Sequence, residues 1–272
     1  MSDSTATLVA DAPPIPRHAF GTAFPETPVT PANHRRPAHL GSMTPCLTAA
    51  GVTKRFRSCV ALDDVSITLE HGHVMGLVGP NGAGKTTLIR ILVGDLRPDA
   101  GTVSFHSATR PPTPRPRAIG AATDALGLDP TVSARANFQF LRTALGLTAD
   151  EVDAVVATTG LKPFWNRRVG VLSTGQRKRV EIAAALLGDP ECLIFDEPLN
   201  GLDPDAIGWF RDLVDFLAAQ GKAILVSSHI LHELGRVCDR LTAIHDGTVR
   251  FQGDFDATLM DVEEIYYGTK GL

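Results

Sequence analysis

The loop Gly79-Pro80-Asn81-Gly82-Ala83-Gly84-Lys85-Thr86-Thr87 constrains this chain more than any other stretch. It fits G-x-x-x-x-G-K-[ST] and follows Val74-Met75-Gly76-Leu77-Val78, an apolar run that reads as a buried strand. Glycines at 79, 82 and 84 let the backbone take positive φ and approach a ligand closely, so successive N–H groups can aim at phosphate oxygens. Lys85 adds a cation, and Thr86 is placed to ligate Mg²⁺. The next stretch, Thr87 to Val93, reads as a helix that stops at Gly94, which brings the positive end of a helix dipole to the same phosphates. Strand, loop and helix in that order distinguish a phosphate cradle from an ordinary glycine-rich turn.

Length and composition bound what can surround the cradle. The chain has 272 residues, 43% of them hydrophobic, enough for a substantial core in one large domain or two small ones. A net charge of −4 and a pI near 6.1 argue against a nucleic acid backbone as the main partner. Cys46, Cys59, Cys192 and Cys238 are scattered without C-x-x-C spacing, which fits a reducing cytosol better than a disulfide scaffold. Apolar runs such as Ala183 to Leu187 fall far short of the roughly 18 residues of a membrane helix, and the first residues lack a basic-then-apolar leader. The expectation is a cytoplasmic protein whose membrane role comes through a partner chain. His71 with His73, and His229 with His232, lack the acids or cysteines that would complete a metal site.

Residues 1–43 carry seven of the 19 prolines and little periodic apolar patterning. They read as a disordered tail, with a polyproline docking segment as the alternative. From residue 44 onward the chain reads as one folded domain. Leu47 to Thr53, Val65 to Leu69 and Gly101 to Phe105 read as strands of a small antiparallel layer. Phe56 falls at a turn between the first two and taken alone is a core aromatic. Arg110 to Arg117, with four prolines, reads as an extended surface loop, or else a basic patch.

Helical periodicity occupies a segment of about 125–190, in Ala134 to Leu145, Ala149 to Thr158 and Arg177 to Leu187. Before the last of these lies Leu172-Ser173-Thr174-Gly175-Gln176. Taken alone, Ser173 is an N-cap with Gln176 at the capping-box position, and Arg177-Lys178-Arg179 is a solvated helix face. The strand Cys192 to Phe195 then leads into Asp196-Glu197, where carboxylates beside a phosphate cradle would serve Mg²⁺ and an attacking water. Alternation of side chains along a strand would send the two acids to opposite sides. Asn200 to Pro204 reads as a turn, Ile207 to Ala219 as an amphipathic helix, and Ala223 to Ser228 as a strand ending at His229. Leu241 to His245 and Thr248 to Gln252, joined through Asp246-Gly247, read as a hairpin.

In this order and spacing the motifs resemble the nucleotide-binding domain of ABC transporters from about residue 46 onward. Gly79 to Thr87 resembles the Walker A motif, Leu172 to Gln176 the signature, Leu193 to Glu197 Walker B with its catalytic glutamate, Gly201 to Pro204 the D-loop, and His229 the switch histidine. The resemblance implies an α/β fold: a P-loop NTPase core of RecA type with an antiparallel β subdomain and a helical ABC-specific subdomain. It implies ATP and Mg²⁺ as cofactors, with Lys85, Glu197 and His229 catalytic. Thr86, Asp196 and Asp124 would hold the metal, and Phe56 would stack on adenine. Gly79, Pro80, Asn81, Gly82, Ala83, Gly84, Lys85, Thr86, Thr87 and Asp124 would contact nucleotide from one subunit, and Ser173, Gly175, Gln176 and Asp203 across a dimer from the other.

The implied partners are a second ATP-binding subunit, in a homodimer, and an integral membrane permease at the inner face of the cell membrane, with no nucleic acid. Asn200 to Pro204 followed by Trp209, and Leu225 to His229, are most similar to drug, bacteriocin and lantibiotic self-resistance exporters. An importer ATPase and a soluble non-transport ABC ATPase are the alternatives. Two positions depart from the family pattern. Thr174 replaces the usual glycine of the signature, putting a β-branched side chain close to where a partner's γ-phosphate would dock, and Asp124 stands where most members have glutamine.

Overall fold

The computed structural model describes residues 44–57, 59–107, 118–123, 127–229, 234–235 and 237–255. The proline-rich tail, the Arg110 to Arg117 loop and Asp124 lie outside the described residues.

Three strands, β1 (Pro45–Phe56), β2 (Cys59–Glu70) and β4 (Ala100–Phe105), form an antiparallel sheet in the order β2-β1-β4. Alternating burial along β1 and β2 turns Leu47, Ala49, Val52, Leu62, Val65, Ile67 and Leu69 inward. The second sheet has six strands in the order β5-β6-β7-β3-β8-β9, built from β3 (Val74–Val78), β5 (Ile119–Ala122), β6 (Cys192–Phe195), β7 (Ala223–Ser228), β8 (Arg240–His245) and β9 (Thr248–Asp254). All neighbours run parallel except β8 and β9, the expected hairpin. β3, β6 and β7 are buried at every position, as strands covered on both faces must be.

Helix α1 (Lys85–Leu92) lies between the two sheets, its Leu88, Ile89, Ile91 and Leu92 packed in one cluster with Leu47 and Ile67 of the first sheet and Leu77, Ile194 and Leu225 of the second. Side chains so buried each contribute about 1.5–3 kcal/mol. Helix α5 (Pro204–Ala219) turns Phe210, Leu213, Val214 and Leu217 inward at helical spacing, and Phe210 meets Phe195 edge to face at 5.5 Å. Between β5 and β6 the chain forms α2 (Ala134–Leu145), α3 (Ala149–Thr159), two short 3₁₀ turns and α4 (Thr174–Ala185). Ser133 caps α2, and Thr148 and Ser173 form capping boxes on α3 and α4.

Two of the differences from the sequence reading have identifiable reasons. Ile119-Gly120-Ala121-Ala122 has a single branched residue followed by glycine and two alanines, a weak strand signal, yet pairs with β6 as β5. A side chain at Gly120 would collide with the Ala185 carbonyl of α4, so small residues are required by the close approach of the helix. Helix α4 starts at Thr174, three residues before Arg177, because the Ser173–Gln176 box supplies its first turn.

Candidate functional site

The Gly79 to Thr87 loop leaves the C-terminal end of β3, the central strand beside β7 and β8. Its glycines have different tasks. A Cβ at Gly79 would sit 2.2 Å from the Ile244 carbonyl oxygen, so the neighbouring strand excludes any side chain there. Gly84 (φ 109) is enclosed by Ala61 and Leu62, whereas Gly82 (φ 84) faces open space. The Gly247 peptide holds the loop from outside: its N–H donates to the Ala83 carbonyl (3.0 Å) and its carbonyl accepts from Asp63 N–H (2.8 Å).

Lys85, the first residue of α1, is buried and donates from Nζ to the carbonyls of Gly79 (2.6 Å) and Pro80 (3.3 Å). The same Nζ lies 3.7 Å from Glu197 Oε1. The opposite oxygen, Oε2, accepts from His229 Nδ1 at 2.9 Å. The lysine that opens α1 and the histidine that follows β7 thus share the carboxylate of the glutamate that follows β6. This crevice at the carboxyl ends of parallel strands is where open α/β sheets bind ligands.

β6 ends at Phe195, before the acids, so strand alternation does not separate Asp196 from Glu197. The division comes from the backbone of Glu197, which has φ 46, a left-handed conformation costing a non-glycine residue roughly 1–3 kcal/mol. That turn sends Glu197 toward Lys85 and His229, while Asp196 Oδ1 accepts from Ser227 Oγ at 2.6 Å.

Phe56, at the end of β1, is 44% exposed, so it is not the core aromatic that its sequence context alone allowed. Lys54 Nζ lies 5.6 Å from its ring centroid. Asp99 fixes this corner by accepting from Lys54 Nζ (2.9 Å) and Arg55 N–H (2.7 Å), and these bonds hold its carboxyl below the ordinary value.

Gly175 faces the loop preceding α5, where an added Cβ would be 3.8 Å from Leu202. Ser173 Oγ accepts from Gln176 N–H (3.3 Å), and Asp203, the N-cap of α5, accepts from Ala206 N–H (2.8 Å). The Thr174 methyl lies against Gly201, where an added Cβ would be 3.3 Å away, so this side chain packs on its own chain. Arg179 does not belong to a solvated face: its guanidinium stacks 4.3 Å from the Trp209 ring centroid. Burial pushes its pKa down, opposed by the charge of Asp203.

The profile of the ABC transporter family matches residues 62–200, which include the cradle, the Leu172 to Gln176 segment and both acids. The ABC transporter ATP-binding protein NatA of Bacillus subtilis is 35% identical over 222 residues, 78% of this chain and 90% of that protein. This chain is a member of the ABC transporter ATP-binding family. The Nod factor export ATP-binding protein I of Burkholderia lata is 36% identical over 226 residues, 79% of this chain and 74% of that protein. A solved ATP-binding subunit of an ABC transporter superposes with a TM-score of 0.72 at 26% identity, covering 82% of this chain and 98% of its own. The fold is therefore the ABC ATPase cassette, with its antiparallel sheet, its mainly parallel sheet and its helices.

The oxygen donors at this cassette's crevice, a Thr86 hydroxyl and carboxylates at 196 and 197, are those a hard cation such as Mg²⁺ takes, while Lys85 and the loop amides suit phosphate. Sequence reasoning missed Asp99, Ser227 and Gly247. Ser227 carried a signal as one of two serines ending an otherwise apolar strand, and Gly247 carried one only as a hairpin residue.

Proposed function

We propose that this ABC ATP-binding subunit hydrolyses ATP·Mg²⁺ at the Gly79 to Thr87 cradle and drives a separate membrane permease in export. One observation carries the reading: Lys85 and His229 converge on the two oxygens of the Glu197 carboxylate at the end of the parallel sheet. Phe56 offers its exposed face to adenine, and the loop amides with Lys85 hold the β- and γ-phosphates. Lys85 is buried and held by two carbonyls and Glu197, so nucleotide meets a cation already desolvated and aimed. Thr86 and Asp196 hold Mg²⁺, which when bound neutralises charge developing on the phosphates. Glu197 orients the attacking water, and His229 contacts the γ-phosphate through its other ring nitrogen. Catalysis is mainly electrostatic, by groups positioned before the reaction starts.

The exposed Ser173 at the start of α4, with Gly175 and Gln176, reaches the γ-phosphate held by a second copy, so that two subunits enclose two ATP molecules. The permease supplies the membrane path, since no helix among the described residues is long and apolar enough to cross a membrane. Similarity to a Nod factor export protein supports the outward direction, and the resemblance of Asn200 to Pro204, Trp209 and Leu225 to His229 to self-resistance exporters supports a drug, peptide or lipid-like cargo.

The test is phosphate release by the full chain with Mg²⁺·ATP, and ATP-dependent uptake by inside-out vesicles bearing the chain and its permease. Uptake in right-side-out vesicles only would reverse the direction, and absence of phosphate release with the permease present would remove the hydrolytic role.

A further inference from the structure

We propose that Ser227 is a positioning residue that sets both acids of the nucleotide site through its one hydroxyl. The inference rests on the roles given above to Asp196 and Glu197. Ser227 is fully buried on β7, one residue past the register pair Phe195 and Val226, which brings it level with Asp196. Its Oγ accepts from Glu197 N–H at 2.8 Å and donates to Asp196 Oδ1 at 2.6 Å.

The directions are fixed by proton count. The amide can only donate and the ionised carboxylate can only accept, so the single hydroxyl proton goes to Asp196. Ala223, Ile224, Leu225 and Val226 of the same strand are apolar, and a hydroxyl buried among them is tolerated because both of its roles are used. One bond aims the carboxylate assigned to the metal. The other holds Glu197 at φ 46, the backbone turn that brings its side chain to Lys85 and His229. An aliphatic residue at 227 would remove one bond from each acid at once.

The experiment uses the full chain with Ser227→Ala, Ser227→Cys and Ser227→Thr. Three quantities are read: ADP affinity without metal, Mn²⁺ affinity in the presence of ADP by electron paramagnetic resonance, and single-turnover ATP hydrolysis. Alanine and cysteine should leave metal-free ADP affinity within about twofold while weakening Mn²⁺ roughly tenfold and slowing turnover by about 10- to 100-fold, the range for residues that orient a metal ligand. Threonine, which keeps the hydroxyl, should restore most of both. Parental Mn²⁺ affinity and turnover in the alanine variant, or threonine no better than alanine, overturns the proposal. Should alanine not fold, cysteine, close to serine in volume and a weak donor, decides alone. If the parent chain binds no Mn²⁺·ADP, the nucleotide-site reading and this one fall together; if it binds and the variants match it, only the role of Ser227 falls.

Discussion

The guanidinium carbon of Arg179 lies 4.3 Å from the ring centroid of Trp209, tying the helix that begins at the signature residues to the helix that follows Asp203. With Thr174 against Gly201, two contacts fasten α4, one to α5 and one to the segment before it. A cation over tryptophan is worth about 0.5–2 kcal/mol, more when desolvated. Trp209→Ala should therefore lower the denaturation midpoint, corresponding to a loss of about 1–3 kcal/mol of stability once lost packing is added, and Trp209→Phe should cost less than half of that. Urea unfolding measures both, and identical midpoints for the two variants would mean that the stacking contributes nothing.

Glu197→Gln keeps the shape of the side chain and the His229 contact but removes the charge that polarises water. ATP binding should persist while single-turnover hydrolysis falls about 100- to 10,000-fold, the range for loss of a general base. Loss of the Lys85 ion pair frees the cation for phosphate, so affinity should hold or rise. Near-parental turnover would remove Glu197 from the chemistry.

Asp99 supports the corner that carries Phe56. Asp99→Asn weakens the bonds to Lys54 and Arg55, and ATP affinity should fall about two- to tenfold, the worth of one ordinary hydrogen bond. The pH dependence has a definite sign. Because the folded-state pKa is depressed, the stabilisation is present at pH values above the ordinary carboxylate range and is lost as pH falls through the folded value. The parent should thus approach the variant only in acid, below about pH 4. Titration with a fluorescent nucleotide at neutral and acid pH checks this; equal affinities at neutral pH would separate Asp99 from the nucleotide.

Gly79 and Gly82 should respond differently to alanine. At Gly79 the new methyl meets the Ile244 carbonyl at 2.2 Å, so the loop or β8 must move, with an expected cost of about 1–3 kcal/mol and loss of nucleotide binding. At Gly82 there is space, and the penalty is that of a positive φ, about 1 kcal/mol. Thermal melting with and without ATP distinguishes them.

Elements with a local code were legible in the sequence. The glycine-lysine loop, the Ser173 capping box and the Asp246-Gly247 hairpin each declare themselves within a few residues. So did the acids at the end of β6, although the reason for their separation was not strand alternation but the left-handed turn at Glu197. What escaped depends on partners distant in the chain. β5 is a strand because β6 and α4 surround it, Ser227 matters because two acids lie some 30 residues earlier, and Arg179 is desolvated only because Trp209 folds over it.

The Gly247 peptide has a consequence for how the molecule is made. It binds the Ala83 carbonyl and Asp63 N–H, both more than 160 residues earlier in the chain, so synthesis delivers the cradle long before its fastening. Until the β8–β9 turn has left the ribosome, the loop lacks that brace against β2, and the Ile244 carbonyl that confines Gly79 is also missing. Closing such distant contacts is the slow kind of folding step. Competence to hold phosphate thus arrives late, once nearly the whole described fold has emerged.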